Sequence, residues 1–210
     1  MKRSILTAAL FSAVISLYAQ TSSDITLPAP KQDGGMPLMQ ALKERKSTRE
    51  YSDKKLTPQV LSNLLWAAFG INRADGKRTA PSARDFQEVS VYAVMEEGVY
   101  RYDAKANVLK TVASGDFRKK TGAQSFVGSA PLNLVYVADF AKMKGAQSDQ
   151  DLYSSADVGF ISQNVYLFCA SEGLATVVRG WLNREGCAKA LKLDGKKKVV
   201  LAQTVGYPKE

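Results

Sequence analysis

Two short segments of this chain carry residue types that could bind a ligand. The first, Arg45 to Arg49, reads Arg-Lys-Ser-Thr-Arg, so two guanidinium groups flank a hydroxyl. Each planar guanidinium can hold a phosphate through two parallel hydrogen bonds. The second segment, residues 79–83, reads Thr-Ala-Pro-Ser-Ala and precedes a strand-like run. The first predicts an anion site, and the second predicts a loop whose backbone donors can face a planar ligand.

Each segment also has an ordinary structural interpretation. Basic side chains are favoured at the carboxyl end of a helix, where they face the negative pole of the helix dipole. A Pro-Ser sequence is also typical of an ordinary turn. Taken alone, either segment is better explained in this way, so a ligand site depends on the two occurring together with the right elements between them.

The composition restricts the chemistry that side chains could perform. The chain has 210 residues, of which 45% are hydrophobic and 23% charged, which suits one globular domain. Because there is no histidine, Ser-His-acid, Cys-His and histidine-zinc sites are excluded. Two cysteines, Cys169 and Cys187, are too few for a thiolate metal set. We therefore expect no metal and no catalytic side chain, with chemistry coming from a bound cofactor or absent.

The cysteines leave one question open at this level. Cys169 lies in the apolar run from Tyr166 to Ala170 and is predicted to be a buried thiol. A Cys169–Cys187 disulfide is also compatible with an exported protein, and sequence spacing does not decide it.

The charge is basic but scattered. The formal net charge is +9, and removing Lys2 and Arg3 would leave +7. The basic runs at 118–120 and 196–198 contain no aromatic residues, so we interpret them as solvated surface and expect no nucleic-acid binding. A positive field would still favour an anionic cofactor or substrate.

The amino terminus has the pattern of a secretory signal. Lys2 and Arg3 precede an apolar run from Ile5 to Leu17, so we predict a signal peptide over residues 1–19 and export to the periplasm or beyond. A buried amino-terminal helix is the alternative. No cysteine follows the run, and we expect no stable membrane anchor. Residues 20–36 are polar and proline-containing, and we interpret them as an extended arm.

The remaining pattern predicts one α+β domain over residues 37–210. Helices are expected from Pro37 to near Lys46, from the Thr57 cap and Pro58 to Gly70, from Asp116 to Val127, and from about Ser155 to Glu172. Strands are expected at 89–95, 99–102, 108–112, 131–138, 175–181 and 199–205. Because helices and strands intermix without regular alternation, a layered α+β fold is predicted.

Three features near the last long helix carry expectations of their own. Its apolar residues lie on several sides, which predicts burial nearly all round, inside the monomer or at a subunit interface. Arg179, a lone charge in an apolar strand, points into a substrate pocket or reaches the sheet edge. Trp181 is predicted to be a core residue.

The joint order of these segments resembles the nitroreductase family. Leu64 to Arg73, followed by Gly76 to Ala83, is similar to the branch that contains flavin-dependent azoline dehydrogenases. In the same order come the 45–49 segment, Ser129-Ala130-Pro131, Gln163-Asn164, Glu172-Gly173-Leu174 and Val205 to Pro208. The resemblance spans about residues 37 to 208.

This resemblance implies an α+β fold with a mainly antiparallel central sheet, assembled as an intertwined homodimer with FMN at the interface. It implies that hydride passes through flavin N5 to or from a small organic substrate, with NAD(P)H as a candidate electron donor. By position, the phosphate or ribityl contacts would come from Arg45, Lys46, Ser47 and Arg49. The ring contacts would come from Pro81, Ser82 and Ala83 on one side and from Glu172, Gly173 and Leu174 on the other.

Two departures from the family pattern affect this expectation. Arg84-Asp85 stands where many members have Gly-Asn, so Arg84 pairs with Asp85 or meets substrate. The chain also stops soon after the last strand, which leaves Lys209 as the basic residue that could assist the phosphate. These departures motivate a second hypothesis, an exported binding protein of the same fold without turnover. A third, resting on charge alone, is a protein that binds anionic polymers.

Overall fold

The computed structural model describes residues 23–209, and the predicted signal peptide lies outside them. One seven-stranded antiparallel sheet organises the chain, in the order β1-β4-β3-β2-β5-β7-β6. Its strands are β1 (Ile25–Thr26), β2 (Val89–Val94), β3 (Gly98–Asp103), β4 (Val108–Ser114), β5 (Leu132–Asp139), β6 (Ala175–Arg179) and β7 (Lys197–Gly206). The helices are α1 (Leu38–Glu44), α2 (Pro58–Phe69), α3 (Gln147–Ser171) and α4 (Arg184–Ala190). The predicted layered α+β fold with an antiparallel sheet is confirmed.

The ends of α2 follow the sequence signals. Thr57 Oγ1 accepts a hydrogen bond from the Val60 amide at 3.3 Å, Pro58 occupies the first turn, and Gly70 ends the helix. In α1 the prediction was one residue out, because Pro37 is the cap and not the first helical residue.

Helix α3 is longer and less buried than predicted. It begins at Gln147, and it ends in a Schellman turn in which Gly173 takes a φ of 65° and the Leu174 amide donates to the Cys169 carbonyl. One side packs on the sheet, but the opposite side is open, with Phe160 49% exposed. Burial inside the monomer is therefore wrong, and a subunit interface stays a prediction.

The helix predicted from Asp116 to Val127 is also wrong. Two short 3-10 turns, Arg118–Thr121 and Ser125–Gly128, replace it, with Gly122 extended between them. A Cβ on Gly122 would lie 1.9 Å from Nη1 of Arg179. The guanidinium thus occupies the space that a side chain at position 122 would need.

Arg179 is a structural residue. It is 4% exposed and donates to Thr204 Oγ1 at 3.0 Å, to the Thr121 carbonyl at 2.8 Å and to Asn133 Oδ1 at 3.0 Å. Neutral acceptors surround the Arg179 head group inside the protein. The predictions that Arg179 points into a substrate pocket or reaches the sheet edge are therefore wrong. Burial lowers the pKa of Arg179 to about 10.

The segment after β6 differs from the prediction as well. Trp181 is 74% exposed, so its assignment to the core is wrong. Helix α4 was not predicted; Asn183 caps it by accepting from the Gly186 amide at 2.9 Å. Since α4 has seven residues, the periodicity available to reveal it was short.

Two apolar clusters cover opposite faces of the sheet. Residues of α2 and α3 build one cluster, which contains Cys169, and α4 contributes to the other, which contains Cys187. Both cysteines are buried free thiols, so the predicted burial of Cys169 is confirmed and the two are not bonded. Burial raises the pKa of Cys187 to about 11.

Within residues 23–209, no helix combines the length and apolar character needed to cross a bilayer.

Candidate functional site

The ligand-type segments converge on α3. Tyr166, in its second half, contacts the 45–49 segment twice: its hydroxyl lies 2.8 Å from Ser47 Oγ, and the Arg45 guanidinium sits 5.2 Å from its ring centroid. The Thr48 amide also donates to the Thr176 carbonyl at 2.9 Å, which ties the segment to β6. The segment is thus held at both a side chain and the backbone.

The Tyr166 hydroxyl already accepts one hydrogen bond. The Val178 amide donates to it at 3.0 Å, so the phenolic proton is available for Ser47. Either hydroxyl can donate in this pair, and when Tyr166 donates, the Ser47 proton is free for a ligand. Sequence reasoning missed Tyr166, whose position in an apolar run gave no sign of this role.

The charges of the 45–49 segment are unneutralised. Among the residues that the structure describes, none of Arg45, Lys46 and Arg49 makes an ion pair. Lys46 and Arg49 are exposed, and Arg45 is half-buried. Three cations next to a hydrogen-bonded hydroxyl in the chain are donors of the type that binds a phosphate dianion.

The carboxyl terminus of the chain runs back to this segment. Tyr51 forms a β-bridge with Pro208, and the Ser52 amide donates to the Tyr207 carbonyl at 3.0 Å. These bonds place exposed Lys209, predicted to assist phosphate binding, beside the residues that directly follow Arg49.

The Pro81–Ala83 loop is anchored on carboxyl groups. The Ala83 amide donates to Asp157 Oδ2 at 2.8 Å, so this backbone donor is not available to a ligand. Ser82 Oγ donates to Glu88 Oε2 at 3.2 Å and accepts from the Gln87 amide at 2.9 Å. Asp157 on α3 and Glu88 before β2 were both missed by sequence reasoning.

The residue after this loop takes an unusual conformation. Arg84 has a φ of 51° and Asp85 a φ of 55°, both in the left-handed region. Arg84 makes no ion pair with Asp85; its guanidinium lies 5.2 Å from the centroid of the Tyr153 ring. The alternative of an Arg84–Asp85 pair is therefore excluded, and substrate contact stays a prediction for Arg84.

The residues Glu172, Gly173 and Leu174 form the end of α3. Glu172 lines a cavity of about 390 Å³ together with Trp66, Asn164, Phe168 and the arm at residues 31–36. Leu174 is buried in the core, so its contribution to a ligand site is limited to its backbone.

A basic cavity adjoins Pro81 and Ser82. It measures about 370 Å³, and its cationic lining is Arg73, Lys77 and Arg78. Arg78 is fixed by donation to the Phe69 carbonyl at 3.0 Å, and Arg73 by donation to Asn72 Oδ1 at 2.9 Å. Sequence reasoning treated this stretch only as a polar loop, although its density of basic residues was visible.

The residues that hold the two ligand-type segments lie at separate positions on α3. Tyr166 and Asp157, which hold them, are nine residues apart on α3, a separation of about 14 Å along a helix. An exposed stripe of α3 begins before Asp157 with Leu152, Ser155 and Ala156, and it continues between the two anchors with Gly159, Phe160 and Gln163.

Comparison with known proteins identifies the family. The model of the nitroreductase family matches residues 42–207. A nitroreductase-like protein of Methanocaldococcus jannaschii is 31% identical over 154 residues, which cover 68% of this chain and 78% of that protein.

Two solved structures extend the comparison. A nitroreductase-like protein of Ralstonia eutropha JMP134 superposes with a TM-score of 0.86 at 43% identity, covering 91% of this chain and 92% of its own. A chain of the Escherichia coli microcin synthetase complex shares the fold, with a TM-score of 0.68 at 19% identity over 98% of this chain and 85% of its own. The chain described here belongs to the nitroreductase family.

Proposed function

We propose that this protein is an FMN-dependent oxidoreductase that acts on a small organic substrate. The observation that carries the proposal is the 45–49 segment, in which three cations that make no ion pair among residues 23–209 accompany a serine hydroxyl that is hydrogen-bonded to Tyr166. A donor set of this kind recognises a phosphate monoester, which is the group at the end of FMN.

The residues of the site divide the work of binding. Arg45 and Arg49 hold the phosphate, Lys46 and Ser47 hold the phosphate or ribityl chain, and Lys209 adds a cation from the terminus. When bound, FMN supplies the centre that accepts or donates hydride. Pro81 and Ser82 shape one wall for its ring system, while Glu172 borders the cavity at the end of α3 and Gly173 follows it.

Two protomers complete the site in this proposal. The anchors of the two segments lie at separate positions on α3, and the stripe of α3 beside and between them is exposed. Leu38, Met39 and Leu42 on α1 are exposed as well. A homodimer that buries these apolar groups would remove them from water and bring together the two kinds of segment from different protomers.

The basic cavity indicates an anionic substrate or donor. Arg73 and Arg78 are fixed by hydrogen bonds and make no ion pair among residues 23–209. They adjoin Ser82 and so lie beside the proposed ring-binding wall. A carboxylate or phosphate group there would gain Coulomb attraction, which makes NAD(P)H a candidate donor.

Export through the predicted signal peptide would separate the enzyme from cytoplasmic NAD(P)H. An exported enzyme would therefore oxidise its substrate and pass electrons to an external acceptor, or use another reductant.

One absorbance experiment tests the proposal. The purified full chain, reconstituted with FMN, should show a flavin band that bleaches after anaerobic addition of NADH or NADPH or of a reducing substrate. Failure to bind FMN would contradict the proposal outright. Binding without bleaching by any donor, and without reoxidation by acceptors after dithionite, would favour a binding protein without turnover.

A further inference from the structure

A buried carboxyl pair lies beneath the Pro81–Ala83 loop. Glu88 is 0% exposed and directly precedes β2, and Asp157 is 2% exposed on α3. Glu88 accepts a hydrogen bond from the Ser82 hydroxyl, and Asp157 accepts one from the Ala83 amide. Two acidic side chains from separate parts of the fold thus accept hydrogen bonds from adjacent residues of one loop.

The pair lacks a compensating cation. Neither carboxyl makes an ion pair in the part of the chain that the structure describes. The charged or titratable groups on the neighbouring elements have other contacts: Arg84 with Tyr153, Asp85 with Gln87, Lys142 with the Gln87 carbonyl, and Asp139 with the Ala141 amide. Two buried carboxylates side by side would repel each other strongly.

One oxygen of the pair is unaccounted for. Glu88 Oε1 is buried and receives no hydrogen bond, although a buried carboxylate oxygen requires donors. Asp157, which holds the adjacent residue Ala83, is the acidic neighbour whose charge acts on Glu88. A proton on Glu88 shared with Asp157 satisfies Oε1 and removes the repulsion at the same time.

We propose that Glu88 is a positioning residue that retains a proton, and that the Glu88–Asp157 pair uses this shared proton to hold the Pro81–Ala83 loop in its ligand-facing position. Above the pH at which the proton leaves, two like charges face each other under the loop and the loop is released. The effect of this loop on FMN binding rests on the proposed function, whereas the protonation of Glu88 does not depend on it.

The sign of the pH dependence follows from the environment of Glu88. Burial, reinforced by the charge of Asp157, raises the pKa of Glu88 above its ordinary value of 4.5. The stabilisation by the protonated form is complete below that ordinary value and is lost as pH rises through the raised pKa. Stability from this pair therefore declines toward alkaline pH.

Glu88→Gln tests the proposal because a carboxamide copies the protonated acid. Its amide nitrogen can donate to Asp157, and its oxygen can accept from Ser82. The midpoint Tm, measured from acid to alkaline pH, should fall with pH more steeply in the wild type than in Glu88→Gln, with a difference of about 3 °C or more at the alkaline end. Glu185→Gln, which changes an exposed glutamate, is the matched control. Its curve of Tm against pH should have the same shape as that of the wild type.

An infrared spectrum gives a second readout that a merely structural role would not move. The carbonyl band of a protonated carboxylic acid should be present in the wild type at neutral pH and absent in Glu88→Gln. If Glu88→Gln does not fold, Asp157→Asn provides the same test, since it also removes the like charge and should flatten the Tm curve.

The outcomes separate this inference from the proposed function. Parallel Tm curves for the wild type and both variants, with no carboxylic acid band, would overturn it. Failure to bind FMN at any pH would contradict the proposed function. The Tm and infrared results would still decide whether Glu88 retains a proton. If both hold, FMN affinity should fall with rising pH in the wild type and stay constant in Glu88→Gln.

Discussion

The Tyr166 hydroxyl lies 2.8 Å from Ser47 Oγ while it accepts the Val178 amide at 3.0 Å. This relationship links the long helix, the sixth strand and the proposed phosphate segment through one oxygen atom. The side chain that orients Ser47 therefore comes from a residue 119 positions away in the chain.

Removal of that hydroxyl should affect both stability and binding. Tyr166→Phe leaves the Val178 amide without its acceptor, and we expect the free energy of unfolding to fall by about 1–3 kcal/mol. FMN affinity should weaken about 3- to 10-fold because Ser47 is no longer oriented. Chemical denaturation and FMN titration measure the two effects. Tyr92→Phe, on the opposite face of the sheet, is the control, and equal losses in both variants would argue against the role of Tyr166.

The guanidinium groups should dominate cofactor affinity. Arg45→Ala and Arg49→Ala should each weaken FMN binding by at least about tenfold, since each removes charged hydrogen bonds to the phosphate. The loss should shrink as salt is raised, because screening weakens the wild type too. Arg101→Ala on β3 changes the same charge far from the site and should have no effect. In Lys209→Ala, an unchanged affinity would eliminate the terminal lysine from phosphate binding.

The contact of Gly122 with Arg179 predicts a steric effect. Gly122→Ala places a Cβ where the guanidinium lies, so we expect a loss of about 1–3 kcal/mol in the free energy of unfolding. Gly195→Ala is the matched control, because nothing lies within 4 Å of its added Cβ, and its effect should stay within about 0.5 kcal/mol. Denaturant midpoints compare the two. Similar values would mean that the buried arginine can move at little cost.

The exposed stripe of α3 predicts the oligomeric state. Light scattering after size exclusion should give the mass of two chains for the wild type and of one chain for Phe160→Glu, because a carboxylate in an apolar interface is costly. Lys105→Glu, in the turn between β3 and β4, should remain dimeric. A monomeric wild type would refute the shared site.

The basic cavity predicts selection by charge. Arg73→Ala should raise the KM for 4-nitrobenzoate about two- to fivefold, the range expected for an exposed charge. The KM for neutral nitrobenzene and both kcat values should not change. Steady-state assays at low and moderate ionic strength measure this, with Lys105→Ala as control. An equal change in KM for both substrates would show that Arg73 does not distinguish the charged substrate from the neutral one.

The sequence alone determined the features that depend on local signals. Thr57, Pro58 and Gly70 define α2 through capping and backbone preferences, which act within a few residues. The apolar run of β5 identified a central strand, and the order of weak motifs from Arg45 to Pro208 indicated the family. The absence of histidine excluded whole classes of site without any structure.

Only the tertiary structure decided the features that depend on distant partners. Arg179 became a buried anchor because Asn133, Thr204 and Thr121 converge on it, and the same guanidinium occupies the space that a side chain at position 122 would need. Trp181 lies outside the core because the chain turns into α4 after β6. Tyr166, Asp157 and Glu88 acquired their roles from hydrogen bonds to loops far along the chain. Sequence periodicity records which side of an element is apolar, but it does not record which polar groups will face each other.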